Sequence, residues 1–168
     1  MTFPLKLTGK NVYVKGTFRD LEIGIQDGRI AEIGQKIGTA RRQLDFGDSL
    51  ILPGVIDGHV HFREPGEVAK EGFESGSRAA LRGGVTTVVD MPNNQPPPNT
   101  PKRFEEKKNC AREKSMVNVA LYAGMPDQPS LVESLVRAGA VGFKHYMADE
   151  NIDQSKFADQ LDNHGALL

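Results

Sequence analysis

Leu50-Ile51-Leu52-Pro53-Gly54-Val55-Ile56-Asp57-Gly58-His59-Val60-His61-Phe62-Arg63-Glu64-Pro65-Gly66 is the stretch on which the fold turns. An apolar run leads into it and Pro65-Gly66 closes it, the pattern of a buried strand that ends in a loop. Side chains alternate faces along a strand, so His59 and His61 point the same way with Val60 opposite. Two imidazoles side by side at the end of a rigid strand make half of a metal site. Arg63 keeps the same parity two residues on, and a cation beyond the paired histidines points to an anionic substrate. Asp57 shares that face at a deeper position and fits a supporting role rather than direct ligation.

The stretch separates two rhythms. Upstream, residues 1–53 read as short strands and turns. Val12 and Val14 alternate with polar neighbours, as do Leu21, Ile23 and Ile25, and Asp27-Gly28 supplies a hairpin turn. A small antiparallel β module with a purely structural role is expected there. Downstream, from residue 54, strand, loop and helix alternate. Phe73, Gly76, Ala80 and Leu81 fall at helical spacing, and Gly83-Gly84 stops that helix. Residues 85–89 are almost wholly β-branched, as in a parallel strand covered on both faces.

Residues 90–101 hold too many prolines and asparagines for regular structure. Thr100-Pro101 then supplies an N-cap and first helical residue, with Phe104 and Ala111 facing the core. A third strand over 117–122, a helix with Leu131, Leu135 and Val136, and a fourth strand over 140–147 follow. Asp153 starts a fourth helix carrying Phe157 and Leu161, and a fifth strand opens at Ala166.

This alternation predicts an α/β protein: about four units of a TIM-like (β/α)8 barrel behind the β module. No Gly-rich phosphate loop follows the first strand, which argues against an open doubly wound sheet. Residues 54–168 fall well short of the roughly 250 that a complete barrel takes. The expected division is therefore a β-sandwich portion over 1–53 and the first part of a barrel, apparently truncated, over 54–168.

Composition excludes more than it identifies. The 168 residues are 38% hydrophobic and 26% charged with a formal net charge of -1, ordinary values for a soluble globular chain. No basic bias points to nucleic acid, and no apolar run is long enough to span a membrane. The first residues lack a secretory leader's apolar core, and the single Cys110 fits a reducing cytoplasm. Cys110 lies in a charged helical stretch and reads as a small, partly buried side chain rather than a nucleophile.

In a parallel barrel, functional groups collect at the C-terminal strand ends. Here those ends offer His59, His61 and Arg63, then Asp90 and Asn93, then Tyr122, then residues 144–147. Lys144, flanked by Gly142, Phe143 and Tyr146, is costly in a buried strand unless paired or neutralised. It can also snorkel at the strand end. His145 faces the other way by parity and reads as structural.

Three stretches in register, residues 57–66, 84–94 (Gly-Val-Thr-Thr-Val-Val-Asp-Met-Pro-Asn-Asn) and 142–144 (Gly-Phe-Lys), resemble the cyclic amidohydrolases and, within them, the N-terminal part of dihydroorotase. The resemblance implies a zinc at His59 and His61, bridged to a second zinc by Lys144 in carboxylated form. It implies that Arg63 and Asn93 hold the substrate carboxylate, a role that suits the bidentate Arg fork. The implied reaction is the reversible, zinc-assisted hydrolysis of dihydroorotate to N-carbamoyl-L-aspartate in pyrimidine biosynthesis. Allantoinase is the nearest alternative. In that family the stretch after Met-Pro usually carries Leu rather than Asn and the Arg position often differs, so Arg63 with Met91-Pro92-Asn93-Asn94 favours dihydroorotase. Hydantoinases lack the combination more clearly.

The family's remaining ligands, two histidines and an aspartate that also serves as acid/base, are expected beyond Leu168. No catalytic acid/base is therefore assigned within the chain, and it is expected to be an incomplete fragment, inactive alone. A different class of reading is a non-catalytic scaffold that binds aspartate transcarbamoylase; the retained His59, His61, Arg63 and Lys144 argue against it. Homo-oligomerisation or that same association are the expected protein partners.

Overall fold

Two pairs of residues with positive φ shape the beginning of the chain: Lys15-Gly16 at 49° and 83°, and Asp27-Gly28 at 52° and 70°. Such pairs make tight hairpin turns whose twist matches that of strands. They fold β1 (Thr2–Val14), β2 (Thr17–Gln26) and β3 (Arg29–Gly34) into an antiparallel meander. β4 (Thr39–Asp45) and the short β5 (Leu50–Ile51) then pair with β1 in parallel, giving the order β3-β2-β1-β4. The module is thus mixed rather than purely antiparallel, which corrects the sequence expectation. The cause is topological: β3 ends on the far side of β2, and the chain must cross over to reach the free edge of β1. β1 is also one long strand of 13 residues, with its register shifted between Gly9 and Val12. Val12, Leu21 and Ile23 form the core of this module.

The computed structural model describes residues 1–146, and the chain divides into two compact units, Met1–Pro53 and Gly54–Leu168. In the second unit β6 (Val55–Val60), β7 (Val85–Asp90) and β8 (Asn118–Leu121) pair in parallel and in sequence order. Just past β8, β9 (Ala123–Gly124) pairs in parallel with β10 (Phe143–Lys144). Parallel strands in sequential order with helical crossovers make this unit α/β. Among the described residues the sheet does not close. The expected fourth helix and fifth strand lie outside those residues.

The helices follow local chemistry. α1 (Phe73–Arg82) starts at Gly72 and ends at Gly83; it buries Phe73, Gly76 and Ser77 but leaves Leu81 exposed. α2 (Pro101–Lys114) is capped by the Thr100 side chain, which accepts from the Arg103 N–H at 3.4 Å, with Pro101 in the first turn. α3 (Val132–Ala138) stops at Gly139, whose φ of 106° is the left-handed conformation that glycine adopts without penalty. Phe73, Phe104, Val132 and Leu135 are wholly buried between helices and sheet. β7 is covered less evenly than its β-branched run predicts: Val88 and Asp90 are buried, while Thr86 is exposed. Among the described residues no helix is long and apolar enough to cross a membrane.

Candidate metal and substrate site

The end of β6 brings the two histidines together. The imidazole rings of His59 and His61 have centroids 5.1 Å apart and planes tilted by 55°, and both residues are exposed. Adjacent, accessible imidazoles are the donor type that zinc and related divalent ions select, so these residues fit a metal. Among the described residues no third His, Cys, Asp or Glu joins them. Asp57 is exposed rather than deep, and its carboxylate accepts from the backbone N–H of His59 at 3.1 Å. It therefore braces the strand locally through the His59 backbone.

The loop that follows is anchored on the next one. Pro65 carbonyl accepts from the Asn94 side-chain amide at 3.3 Å and from the Gln95 N–H at 3.4 Å. Gly66, at φ 114°, presses against the Gln95 backbone where no Cβ would fit. This holds the loop carrying Arg63 beside the loop carrying Asn93. Both act on Tyr146: burial pushes its phenol up, while the Asn93 side chain and the Arg63 charge pull the other way. The Lys144 ammonium in turn sits 5.5 Å from the centroid of the Tyr146 ring, a cation–π contact. Lys144 itself is half-buried. Arg63 is partly engaged within its own loop, 3.5 Å from the Glu67 carboxylate.

A histidine pair lies at a parallel strand end, with Arg63 and Asn93 on the two tethered loops that follow. The amidohydrolase family model matches residues 50–164. The chain belongs to the amidohydrolase family. Allantoinase from Deinococcus radiodurans is 37% identical over 164 residues, covering 96% of this chain and 37% of its own length. Allantoinase from Rubrobacter xylanophilus is 39% identical over 162 residues, covering 95% and 36%. The solved L-hydantoinase (dihydropyrimidinase) from Arthrobacter aurescens superposes with a TM-score of 0.85 at 28% identity, covering 98% of this chain and 39% of that one. This amidohydrolase thus spans a little over a third of the relatives it matches. The cyclic amidohydrolase expectation holds at family level. Its refinement to dihydroorotase rested chiefly on Arg63 and Asn93, whereas similarity along nearly the whole chain runs to allantoinases and hydantoinases.

Behind the histidines, the amidohydrolase carries polar groups that the sequence reading underused. Asp90 and Lys107 form an ion pair at 2.8 Å with both side chains wholly buried. Burial raises the Asp90 carboxyl and lowers the Lys107 ammonium, each opposed by the charge of the other. Asp90 Oδ1 accepts from the Phe62 N–H at 2.7 Å, and Lys107 Nζ also donates to the Met91 carbonyl at 2.7 Å.

Glu64, buried as well, accepts from the Phe73 N–H at 3.0 Å at the start of α1 and pairs with Lys114 at the end of α2. The signals were present: Glu64 has the parity of Val60 and Phe62, away from the histidines, and Lys107 sits on the stripe of Phe104 and Ala111. Cys110 is half-buried, its thiol pushed up by burial and by the Glu64 charge, the environment of an inert cysteine.

Proposed function

We propose that this amidohydrolase segment contributes the first metal ligands and part of the substrate pocket of an enzyme that hydrolyses a cyclic amide, with allantoin as the favoured substrate. The paired, exposed imidazoles of His59 and His61 carry the proposal. They would hold a divalent metal, zinc being the ion best suited to such ligands, with Lys144 as the bridging ligand to a second ion if it is carboxylated. A metal bound there would supply Lewis-acid polarisation of the ring carbonyl and would lower the pKa of its bound water toward neutrality.

The remaining work falls to this chain's own side chains. Arg63 offers a planar fork for the anionic or carbonyl edge of the ring, and the Asn93 amide supplies both a donor and an acceptor. The buried Asn93 carbonyl oxygen has no hydrogen-bond partner among the described residues and is an unpaired acceptor. Both groups position the ring and do not break bonds. Allantoin is favoured because the curated relatives similar along nearly the whole chain are named allantoinases.

One observation supports a second reading. Arg63 and Asn93 both act on Tyr146, and an Arg fork together with an amide suits the carboxylate of dihydroorotate. A chimera separates the two. The corresponding N-terminal third of the Deinococcus radiodurans allantoinase is replaced by this chain and assayed with allantoin and with dihydroorotate. Retained turnover of allantoin, lost on His59→Ala, supports the first reading. Turnover of dihydroorotate in place of allantoin supports the second, and a folded, zinc-loaded chimera inert toward both overturns the two together.

A further inference from the structure

Two of the backbone groups that alternate with the histidines are held by one neighbouring segment. Val60 carbonyl accepts from the Met91 N–H at 2.9 Å, and Phe62 N–H donates to Asp90 Oδ1 at 2.7 Å. Lys107 closes the arrangement, 2.8 Å from Asp90 Oδ2 and 2.7 Å from the Met91 carbonyl. His61 lies between the two held positions, and Arg63 follows the second. Because strand residues alternate, fixing the peptides at 60 and 62 fixes the direction in which the side chains of His59 and His61 leave the backbone.

A wholly buried ion pair is a poor device for stability alone, since well-packed apolar replacements often do as well. This pair instead presents a carboxylate oxygen where the strand has run past its last ladder partner. A neutral core would leave the Phe62 N–H unsatisfied there.

We propose that Asp90, held by Lys107, is a positioning residue for the metal ligands: its hydrogen bond to Phe62 N–H fixes the end of β6 so that His59 and His61 face one divalent ion. The proposal rests on the metal reading given above. Asp90 touches no metal in this scheme and acts only through the backbone between His61 and Arg63.

Two double variants of the 168-residue chain isolate the hydrogen bond from the charge pair. Asp90→Asn with Lys107→Met removes the ion pair but keeps an oxygen for Phe62, whereas Asp90→Leu with Lys107→Met removes both. Zinc is titrated against the imidazole NMR signals of His59 and His61, and folding is checked by circular dichroism. The Asn/Met chain is expected to bind zinc within about threefold of the parent, and the Leu/Met chain about tenfold or more weakly, the usual effect of losing a group that orients a ligand. A role confined to stability would shift the melting of both doubles and leave their zinc affinities equal, and equal affinities overturn the proposal. Amide hydrogen exchange of Phe62 in the parent gives a second measurement that needs no variant. Protection comparable to β7 supports the positioning role, and rapid exchange overturns it. No zinc response at either imidazole of the parent sinks the metal reading itself, which the Phe62 exchange does not test.

Discussion

Gly76 of α1 lies so close against the ring of Phe62 that an added methyl would overlap it. That ring also meets Phe73 edge-on, with centroids 5.8 Å apart and planes at 88°. The helix therefore rests on the residue next to His61, and the glycine sets how near it comes. Gly76→Ala gains about 0.5–1 kcal/mol of helix propensity but overpacks the contact at a cost of about 1–3 kcal/mol. A net destabilisation is expected in urea unfolding, together with shifted His61 NMR signals.

Breaking the buried pair from one side leaves an uncompensated charge. Lys107→Met alone is expected to destabilise by about 3–5 kcal/mol, because the Asp90 carboxylate then has no cation in a dry environment. The added Asp90→Asn substitution should recover a large part of that loss. Chemical denaturation of the single and double variants checks both statements, and an additive double would refute the coupling.

Arg63 is shared between its loop and any incoming anion. Glu67 sits 3.5 Å away and is itself held by Lys70. Exposed pairs of this kind contribute little, so Glu67→Gln should tighten binding of a small carboxylate probe by no more than about fivefold. The gain should vanish at high salt, and Arg63→Ala should abolish it. Calorimetric titration at two ionic strengths provides the measurement.

The β module carries its own acid sensitivity. Glu22 is held below the ordinary glutamate value of 4.5 by the Ile37 N–H at 2.9 Å and then by Lys6 at 3.0 Å. A depressed carboxyl contributes stability that is complete above its unfolded value and is lost as pH falls through the folded one. Stability of residues 1–53 should therefore decline below about pH 4.5, and Glu22→Gln should flatten that decline while lowering stability at pH 7. Amide exchange within β1 and β2 as a function of pH tests this.

Much of the site was legible because period-2 parity is a strong signal. His59-Val60-His61 places two rings on one side whatever the rest of the sheet does, and the rings are adjacent in the structure. Thr100-Pro101, Gly83-Gly84 and Gly139 likewise act locally, the threonine through its side chain and the glycines through their backbone, so α2, α1 and α3 begin or end beside them. The mixed pairing of β1 was not legible, since strand direction depends on a crossover rather than on any local residue. Buried charge was the other blind spot. Lys107 and Glu64 are surface residues by composition, and only their partners on other elements make burial tolerable. The choice among cyclic amides was likewise carried by two positions, too few to outweigh similarity spread along the chain.

The sequential order of the parallel strands has a kinetic side. Phe62 and Asp90 are 28 residues apart, and Tyr122 N–H reaches back to the Asp90 carbonyl as Val141 N–H does to that of Leu121. Each strand end thus closes on the one made just before it. Closing loops of this size costs little more entropy than closing shorter ones, and each of these contacts needs only the strand made just before it. On the ribosome, the histidine pair would be braced as soon as β7 and α2 had emerged, with the pocket assembled in the order of its synthesis.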